Sequence, residues 1–236
     1  MTDRSKNKTI LGVERSQLAY SEGLRTFMLS VYNYMALGLG LTGGVALVVV
    51  SSPALMQALM PMMLLFIIAP IALVFFLSFK INTMKFSTAQ IVFWLYAALN
   101  GVAFSVIFMA YTYESIARVF FITAGMFAAM SLYGYTTKKD LTAWGSFLFM
   151  GLIGIIIASI VGMFWASTML QFMISIAGVI IFTGLTAYDT QSIKESYMEG
   201  ASSEIAGKKA IFGALKLYLD FINLFLMMLR LLGDRR

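Results

Sequence analysis

Three ionisable side chains lie inside the last two apolar stretches of the sequence. Asp189 ends an uncharged run that begins at Leu141, and Lys216 and Asp220 stand four residues apart in the next apolar stretch. A charge placed at the centre of a bilayer costs about 2.5–3.5 kcal/mol on insertion scales. Because of this cost, charged residues inside membrane spans are rare and commonly mark sites that bind protons or ions. We therefore take these three residues as the candidate functional groups.

The spacing of the three residues permits two arrangements. Asp189 and Asp220 lie on consecutive apolar segments, which run antiparallel in a membrane and can bring the two carboxyl groups together. Two neighbouring carboxylates cannot both ionise at low cost in a low dielectric, so we expect such a pair to share a proton. In the other arrangement Lys216 and Asp220 neutralise each other on one helix face, at positions i and i+4. Spacing alone leaves both arrangements open.

The composition indicates a protein that faces lipid. Hydrophobic residues make up 60% of the 236 positions and charged residues 12%, and the mean hydropathy is +0.86. Soluble domains have about 45–50% apolar and about 25% charged residues. The chain has no cysteine and no histidine, so a pH response near neutrality would have to use carboxylates or lysines. We see no phosphate-binding loop for ATP and expect no tightly bound cofactor.

The apolar stretches predict an all-α integral membrane fold. A span needs about 20 mostly apolar residues. We predict seven spans, near residues 26–50, 60–80, 88–111, 116–136, 142–165, 168–190 and 209–231. The seventh contains Lys216, Asp220 and Arg230, so we expect the other six to surround it and shield it from lipid. We divide the chain into a polar cytoplasmic tail, residues 1–25, and one transmembrane domain, residues 26–236.

The basic residues indicate how the chain is oriented. Twelve of them fall in the tail and in alternate loops: Arg4, Lys6, Lys8, Arg15, Arg25, Lys80, Lys85, Lys138, Lys139, Lys194, Lys208 and Lys209. The opposite loops contain only Arg118, which predicts a cytoplasmic N-terminus. The net charge of +6 therefore reflects topology, and we expect no nucleic-acid partner. Seven spans place Arg235 and Arg236 outside, against this rule, whereas a re-entrant seventh segment would place them inside.

Small residues and one proline predict local features of the spans. Pro70 is expected to kink the second span. Small residues recur at four-residue spacing in the first and fifth spans, which allows close helix contacts. They are Gly40, Gly44, Gly154, Ala158 and Gly162. We interpret them as contacts within one bundle, which favours a monomer over a homodimer, although the sequence does not decide the oligomeric state.

Several segments resemble a known family. "TAYDTQSIK" (186–194) and "LYLDFINLFLMMLRLLG" (217–233) are similar to the signature ends of the bacterial branch of the Bax inhibitor-1 family. The segments "ALNGVAFSVIF" (98–108), "SIARVFFITAGMFAAMSLYGYTTKKDL" (115–141) and "GSFLFMGLIGIIIASIV" (145–161) resemble its middle helices. The resemblance covers nearly the whole chain beyond the tail, and its motifs occur in the family's order.

The resemblance implies both a fold and a function. The fold has seven helices with the seventh in the centre, in the bacterial inner membrane. The function is a calcium leak that responds to pH, with calcium as a permeant ligand rather than a fixed cofactor. The family's sensor aspartates correspond to Asp189 and Asp220, which would also contact calcium transiently. A basic latch at the end of the second helix corresponds to Lys80, with Lys85 as a substitute. An ammonium cannot make the two-pronged contact of a guanidinium, so a lysine latch would be weaker.

The expected mechanism is electrostatic. When the two aspartates share a proton, the sixth and seventh helices are drawn together. When they lose that proton, Lys80, Lys216 or a cation must balance the added negative charge. Calcium prefers oxygen ligands, so the two carboxylates suit it. The few acidic residues in the spans favour a low-affinity leak over a pump.

Three other functions are consistent with parts of the sequence. Presenilin-type proteases use two aspartates on consecutive helices, but Asp220 lacks their GxGD context, so we predict no enzyme. Retinal proteins carry a lysine in the last helix, but their aspartate precedes it, whereas Asp220 follows Lys216. The main alternative is a protein that modulates a membrane protease or another membrane partner through its tail and transports nothing itself.

Overall fold

The computed structural model describes the backbone of residues 2–165 and 167–236, and the side chains from Tyr20 onward except Ala166. It is 88% helical, and the described residues form no strand. The α-helices are α1 (Thr2–Ser51), α2 (Pro53–Leu59), α3 (Met63–Lys80), α4 (Phe86–Ala110), α5 (Tyr113–Thr136), α6 (Thr142–Phe164), α7 (Thr168–Glu195) and α8 (Ser203–Leu232). The predicted tail is continuous with α1, and its side chains before Tyr20 lie outside the described residues.

Seven helical segments are long and apolar enough to cross a membrane, which confirms the predicted number of spans. Six of the seven segments are longer than the predicted spans, and the fifth, Thr142–Phe164, is one residue shorter. Because α7 continues to Glu195 and α8 begins at Ser203, the loop between them is residues 196–202, and not the longer connection that the span limits 190 and 209 implied. The second span is interrupted by the 3₁₀ turn Met60–Met62, which contains Pro61, while α3 continues through Pro70.

Helix α8 occupies the centre of the bundle. In its most apolar window 72% of the residues are buried, against 11–33% in the other six spans. Helices α1, α4, α5 and α7 pack directly against α8. Helix α6 packs on α7 instead, and a cavity separates it from α8. The prediction of a sheltered, polar seventh helix is confirmed.

The C-terminus lies at the end of the bundle opposite the α7–α8 loop. At about 1.5 Å per residue, the 30 residues of α8 cover about 45 Å without interruption. Beyond α8, the N–H of Thr112 donates to the carbonyl of Asp234 (3.1 Å), and the N–H of Arg236 donates to the carbonyl of Ala110 (3.0 Å). Arg118 forms an ion pair with Asp234 at 2.7 Å. The alternative of a re-entrant seventh segment is therefore wrong.

Hydroxyl groups connect the helices around α8. The Thr42 hydroxyl of α1 lies 2.8 Å from the carbonyl oxygen of Ala97 in α4 and 2.7 Å from the Tyr218 hydroxyl of α8. The Thr42 hydroxyl also lies 3.0 Å from the Gly38 carbonyl of its own helix. Because carbonyl oxygens only accept and Thr42 has a single hydroxyl proton, Thr42 donates to these carbonyls while Tyr218 donates to Thr42. This arrangement fixes α8 against two neighbours beside the segment that carries Asp220.

A second hydroxyl cluster joins α1, α5 and α7. The Ser131 hydroxyl lies 2.5 Å from the Tyr32 hydroxyl and 2.9 Å from the Thr190 hydroxyl. Ser131 and Thr190 are both buried. Since an unpaired buried hydroxyl costs more than a lost hydrogen bond contributes, Ser131 stabilises this three-helix contact.

We expect Ser131→Ala to destabilise the protein by about 1–2 kcal/mol, because it leaves the hydroxyls of Tyr32 and Thr190 without their shared partner. Thermal unfolding in detergent, followed by tryptophan fluorescence, measures the change. Ser146→Ala is the matched control, since Ser146 is exposed and bonds only within its own helix. Equal unfolding temperatures for the two variants would contradict a bridging role.

The small-residue contacts differ from the prediction. A Cβ atom added at Gly40, Gly44 or Gly154 would meet nothing within 4 Å, so the interpretation of these glycines as contacts within the bundle is wrong. Among the described glycines, an added Cβ would meet the backbone of another helix within 3 Å at Gly101 and Gly134. A Cβ at Gly134 would fall on the backbone carbonyl of Ala187, so α5 and α7 meet there backbone to backbone.

Candidate functional site

A cavity of about 800 Å³ lies between α6, α7 and α8, and we call it the central cavity. Its wall is mostly apolar. Its polar lining residues are Ser146, Ser159, Tyr188, Asp189, Lys216, Asp220 and Asn223. The cavity exists because α6 packs on α7 while leaving α8 open on that side. Every charged residue in its lining is one of the three singled out from the sequence.

The helical repeat places the polar groups of α8 on one face. Lys216, Asp220 and Asn223 stand at i, i+4 and i+7, which is one face of an α-helix. Asp189 approaches this face from α7 across the cavity. The residues that flank these positions along α8 are apolar. The helical repeat that turns those apolar residues towards the bundle also places the three polar residues together on one face.

Asp189 and Asp220 are brought together. Both line the central cavity, and their carboxyl groups are close enough to interact electrostatically. A hydrogen bond between them would require a proton on one of the two groups, because ionised carboxylates only accept hydrogen bonds. Asp220 is 5% exposed, and its Oδ2 atom has no hydrogen-bond partner among the described residues. The geometry therefore corresponds to the arrangement in which Asp189 and Asp220 form a pair, which was the first of the two considered from the sequence.

Lys216 pairs across the helices and not within its own. Its Nζ atom lies 3.3 Å from Oδ1 of Asp189, and the side chains are 32% and 15% exposed. The ammonium also lies near the Phe212 ring, 5.8 Å from its centroid. The local pair with Asp220 is replaced by a three-membered cluster in which Lys216 bonds to Asp189 and Asp220 lines the same cavity.

Lys80 lies apart from this cluster. It is exposed in the last turn of α3, and the described part of the chain shows no ion pair for it. Lys85 precedes α4 and lines a small surface pocket with Ser203 and Glu204. A Lys80 latch on Asp189 stays a prediction, and in this structure Lys216 is the basic residue that contacts Asp189.

Four polar residues of the central cavity were not among the predicted site residues: Ser146, Ser159, Tyr188 and Asn223. Asn223 donates a hydrogen bond from Nδ2 to the carbonyl of Leu219 at 2.8 Å, which leaves its Oδ1 oxygen for the cavity. Tyr188 packs its ring against Gly145 of α6. Asn223 could have been found from its i+3 spacing to Asp220. No pattern distinguishes Tyr188 from the other aromatic residues.

Comparison with known proteins assigns the chain to a family. Residues 24–236 match the family described as Inhibitor of apoptosis-promoting Bax1. The chain belongs to the Bax inhibitor-1 family. It is 48% identical over 219 residues to the inner membrane protein YbhL of Escherichia coli K12, covering 91% of this chain and 94% of YbhL. It is 47% identical over 240 residues to the protein RP147 of Rickettsia prowazekii, covering 100% of this chain and 97% of that protein.

In this Bax inhibitor-1 family chain, two further cavities adjoin the central one. The lysine-end cavity, about 550 Å³, is lined by Lys208, Lys209 and Lys216, and it shares Lys216 with the central cavity. The arginine-end cavity, about 860 Å³, is lined by Arg230 and Arg235 among others. It shares Ser159 and Met163 with the central cavity. The three cavities follow one another along α8.

Proposed function

We propose that this protein is a pH-sensitive calcium leak of the bacterial inner membrane, with Asp189 and Asp220 as its gate. The observation that carries the proposal is that these two aspartates and Lys216 line one cavity along the most buried helix, with Lys216 paired to Asp189. The family membership and the name of YbhL as an inner membrane protein support this location. The distribution of basic residues supports a cytoplasmic N-terminus.

The charges of the cluster explain how a proton would act as the gate. With one proton shared between Asp189 and Asp220, the pair carries one negative charge, and the Lys216 ammonium balances it at 3.3 Å. The cluster is then neutral, which is the inexpensive state in a low dielectric. Loss of the proton adds a negative charge that Lys216 alone does not balance. A cation entering the central cavity offsets this added negative charge.

The ligands around the cluster suit calcium in passage. Two carboxylates and the Oδ1 oxygen of Asn223 are hard oxygen ligands, whereas tight calcium sites use six to eight oxygens. Within the described residues, no three acidic, histidine or cysteine side chains are grouped for metal binding. We therefore propose a transient contact and not a resident ion. The lysines and arginines in the flanking cavities repel cations, which favours a slow leak over a fast channel.

The proposal predicts how calcium flux depends on pH. In proteoliposomes loaded with a calcium indicator, the parent protein should change its flux between about pH 5 and about pH 8. Asp189→Asn and Asp220→Asn should each abolish this pH dependence, because an amide cannot take up or release the shared proton. Asp140→Asn is the matched control, since Asp140 is exposed in the α5–α6 loop, and it should retain the parent profile.

Three results would contradict the gate. Parent-like flux profiles in both cavity variants would show that the aspartates do not gate the leak. Cleavage of a peptide substrate that disappears in either variant would indicate an intramembrane aspartyl protease. Loss of a co-purifying membrane protease on deletion of residues 1–20, in a protein that shows no calcium flux, would favour the modulator of a membrane partner.

A further inference from the structure

The central and arginine-end cavities adjoin each other along α6, and we call the two together the slot. They meet at Ser159 and Met163, which line both cavities. The slot runs from the end of α8 near Arg230 to the level of Asp220. These two residues are ten positions apart on one helix, which corresponds to about 15 Å.

The wall of the slot is apolar and opens sideways. Four of its α6 residues have large exposed side chains: Phe149 (59%), Ile156 (50%), Ile160 (52%) and Met163 (83%). Since α6 packs on α7 and not on α8, the gap beside α8 faces the surrounding bilayer. An occupant with a long apolar tail can therefore enter from the membrane without crossing water.

The end of the slot near Arg230 is suited to bind a negatively charged group. Arg230 lies in the last turn of α8, is exposed, and has no hydrogen bond or ion pair among the described residues. Arg235 lies over the ring of Tyr111 at 5.8 Å and lines the same cavity. The N-terminal turn of α7, with Thr168 and Gln171, completes the lining. Two guanidinium groups and the positive end of a helix dipole complement a phosphate.

We propose that an anionic phospholipid occupies this slot, with its phosphate at Arg230 and Arg235 and one acyl chain along α6. One leaflet of a bilayer has a hydrocarbon depth of about 15 Å, half of the whole core. This matches the helical distance of about 15 Å between Arg230 and Asp220. The end of the acyl chain therefore reaches the level of the aspartates and excludes water from their open side. The binding site does not depend on the calcium leak, and it is tested separately.

Lipid retention tests the proposal. The purified full-length protein is exchanged into nanodiscs that contain equal amounts of phosphatidylglycerol and phosphatidylethanolamine, released into detergent, and examined by native mass spectrometry. The parent should retain phosphatidylglycerol. The double variant Arg230→Gln with Arg235→Gln should retain about tenfold less. Ser159→Phe, which fills the junction of the two cavities, should lose it too. Arg236→Gln is the matched control, because Arg236 lies over Tyr113 and does not line the slot.

Each other pattern overturns the proposal. Equal retention in all variants, or equal loss in Arg236→Gln, would show that the lipid is held by general surface charge. Retention that survives Ser159→Phe but is displaced by inorganic phosphate would indicate a free-anion site without an acyl slot. An unchanged melting temperature in each variant establishes that a loss of lipid is not a loss of fold.

Discussion

Replacing Lys216 by methionine is expected to increase calcium flux about tenfold at a pH above the midpoints of both the variant and the parent. In the structure the Lys216 ammonium lies 3.3 Å from Asp189, where an entering cation would bind. The ammonium therefore competes with calcium for the carboxylate of Asp189. A charge-assisted hydrogen bond contributes about 1.5–3 kcal/mol. Because the Lys216 side chain is 32% exposed, we take the lower end of this range, which corresponds to about tenfold.

The pH profile gives a second readout for the same variant. Removal of the ammonium leaves the two aspartates without their balancing charge, so their shared proton is harder to remove. The midpoint of the flux profile of Lys216→Met should therefore lie at higher pH than that of the parent. A protein that had merely become permeable would show no such shift. Measured together, the flux and its pH midpoint therefore distinguish a lost competitor of calcium from a protein that has become permeable through structural damage.

Two matched variants complete the experiment. Lys216→Arg keeps the positive charge and should leak like the parent. Lys194→Met removes a lysine from α7 that lines none of the three cavities, and its ammonium bonds to the carbonyl of Tyr135 at 2.8 Å, so flux should be unchanged. If Lys216→Met gave the parent's flux at both low and saturating calcium, the ammonium would not compete with calcium. Lys80 would then remain the candidate latch.

The sequence predicted the bundle well because the bilayer imposes strong rules. Apolar length defines the spans, and the cost of a charge in lipid identified α8 as the sheltered helix. The same cost pointed to Asp189, Lys216 and Asp220. All three line the central cavity, so the candidate groups could be found from residue type and helical spacing alone.

The contacts among these residues could not be predicted, because they depend on how helices are rotated and spaced. Spacing allowed Lys216 to neutralise Asp220 on one helix, yet the rotation of α8 directs it to Asp189 on α7. The cavity itself arises because α6 packs on α7 and leaves α8 open, and no local pattern encodes a gap. Gly40 and Gly44 were misjudged for the same reason, since small residues permit a contact without specifying one.

Gly134→Ala is expected to destabilise the fold more than any other single methyl group added to α5. The new Cβ would lie within 3 Å of the backbone carbonyl group and Cα atom of Ala187 in α7. Backbone atoms cannot rotate away as a side chain can, so α5 and α7 must separate. Adding a methyl group to a well-packed contact lowers the free energy of unfolding by about 1–3 kcal/mol where the neighbouring groups can adjust. Here separation also strains the Ser131–Thr190 hydrogen bond, one turn away at 2.9 Å.

The expected result is a melting temperature lower by about 5–10 °C, taking about 2–4 °C per kcal/mol for a chain of this size. Gly125→Ala on the same helix is the matched control. A Cβ at Gly125 would meet nothing within 4 Å, and alanine is the better helix former by about 0.5–1 kcal/mol, so this variant should melt at or above the parent temperature. Because both variants add the same methyl group to α5, a difference between them measures the α5–α7 contact alone. Equal melting of the two variants would show that α7 does not lie where its Asp189 can meet Asp220.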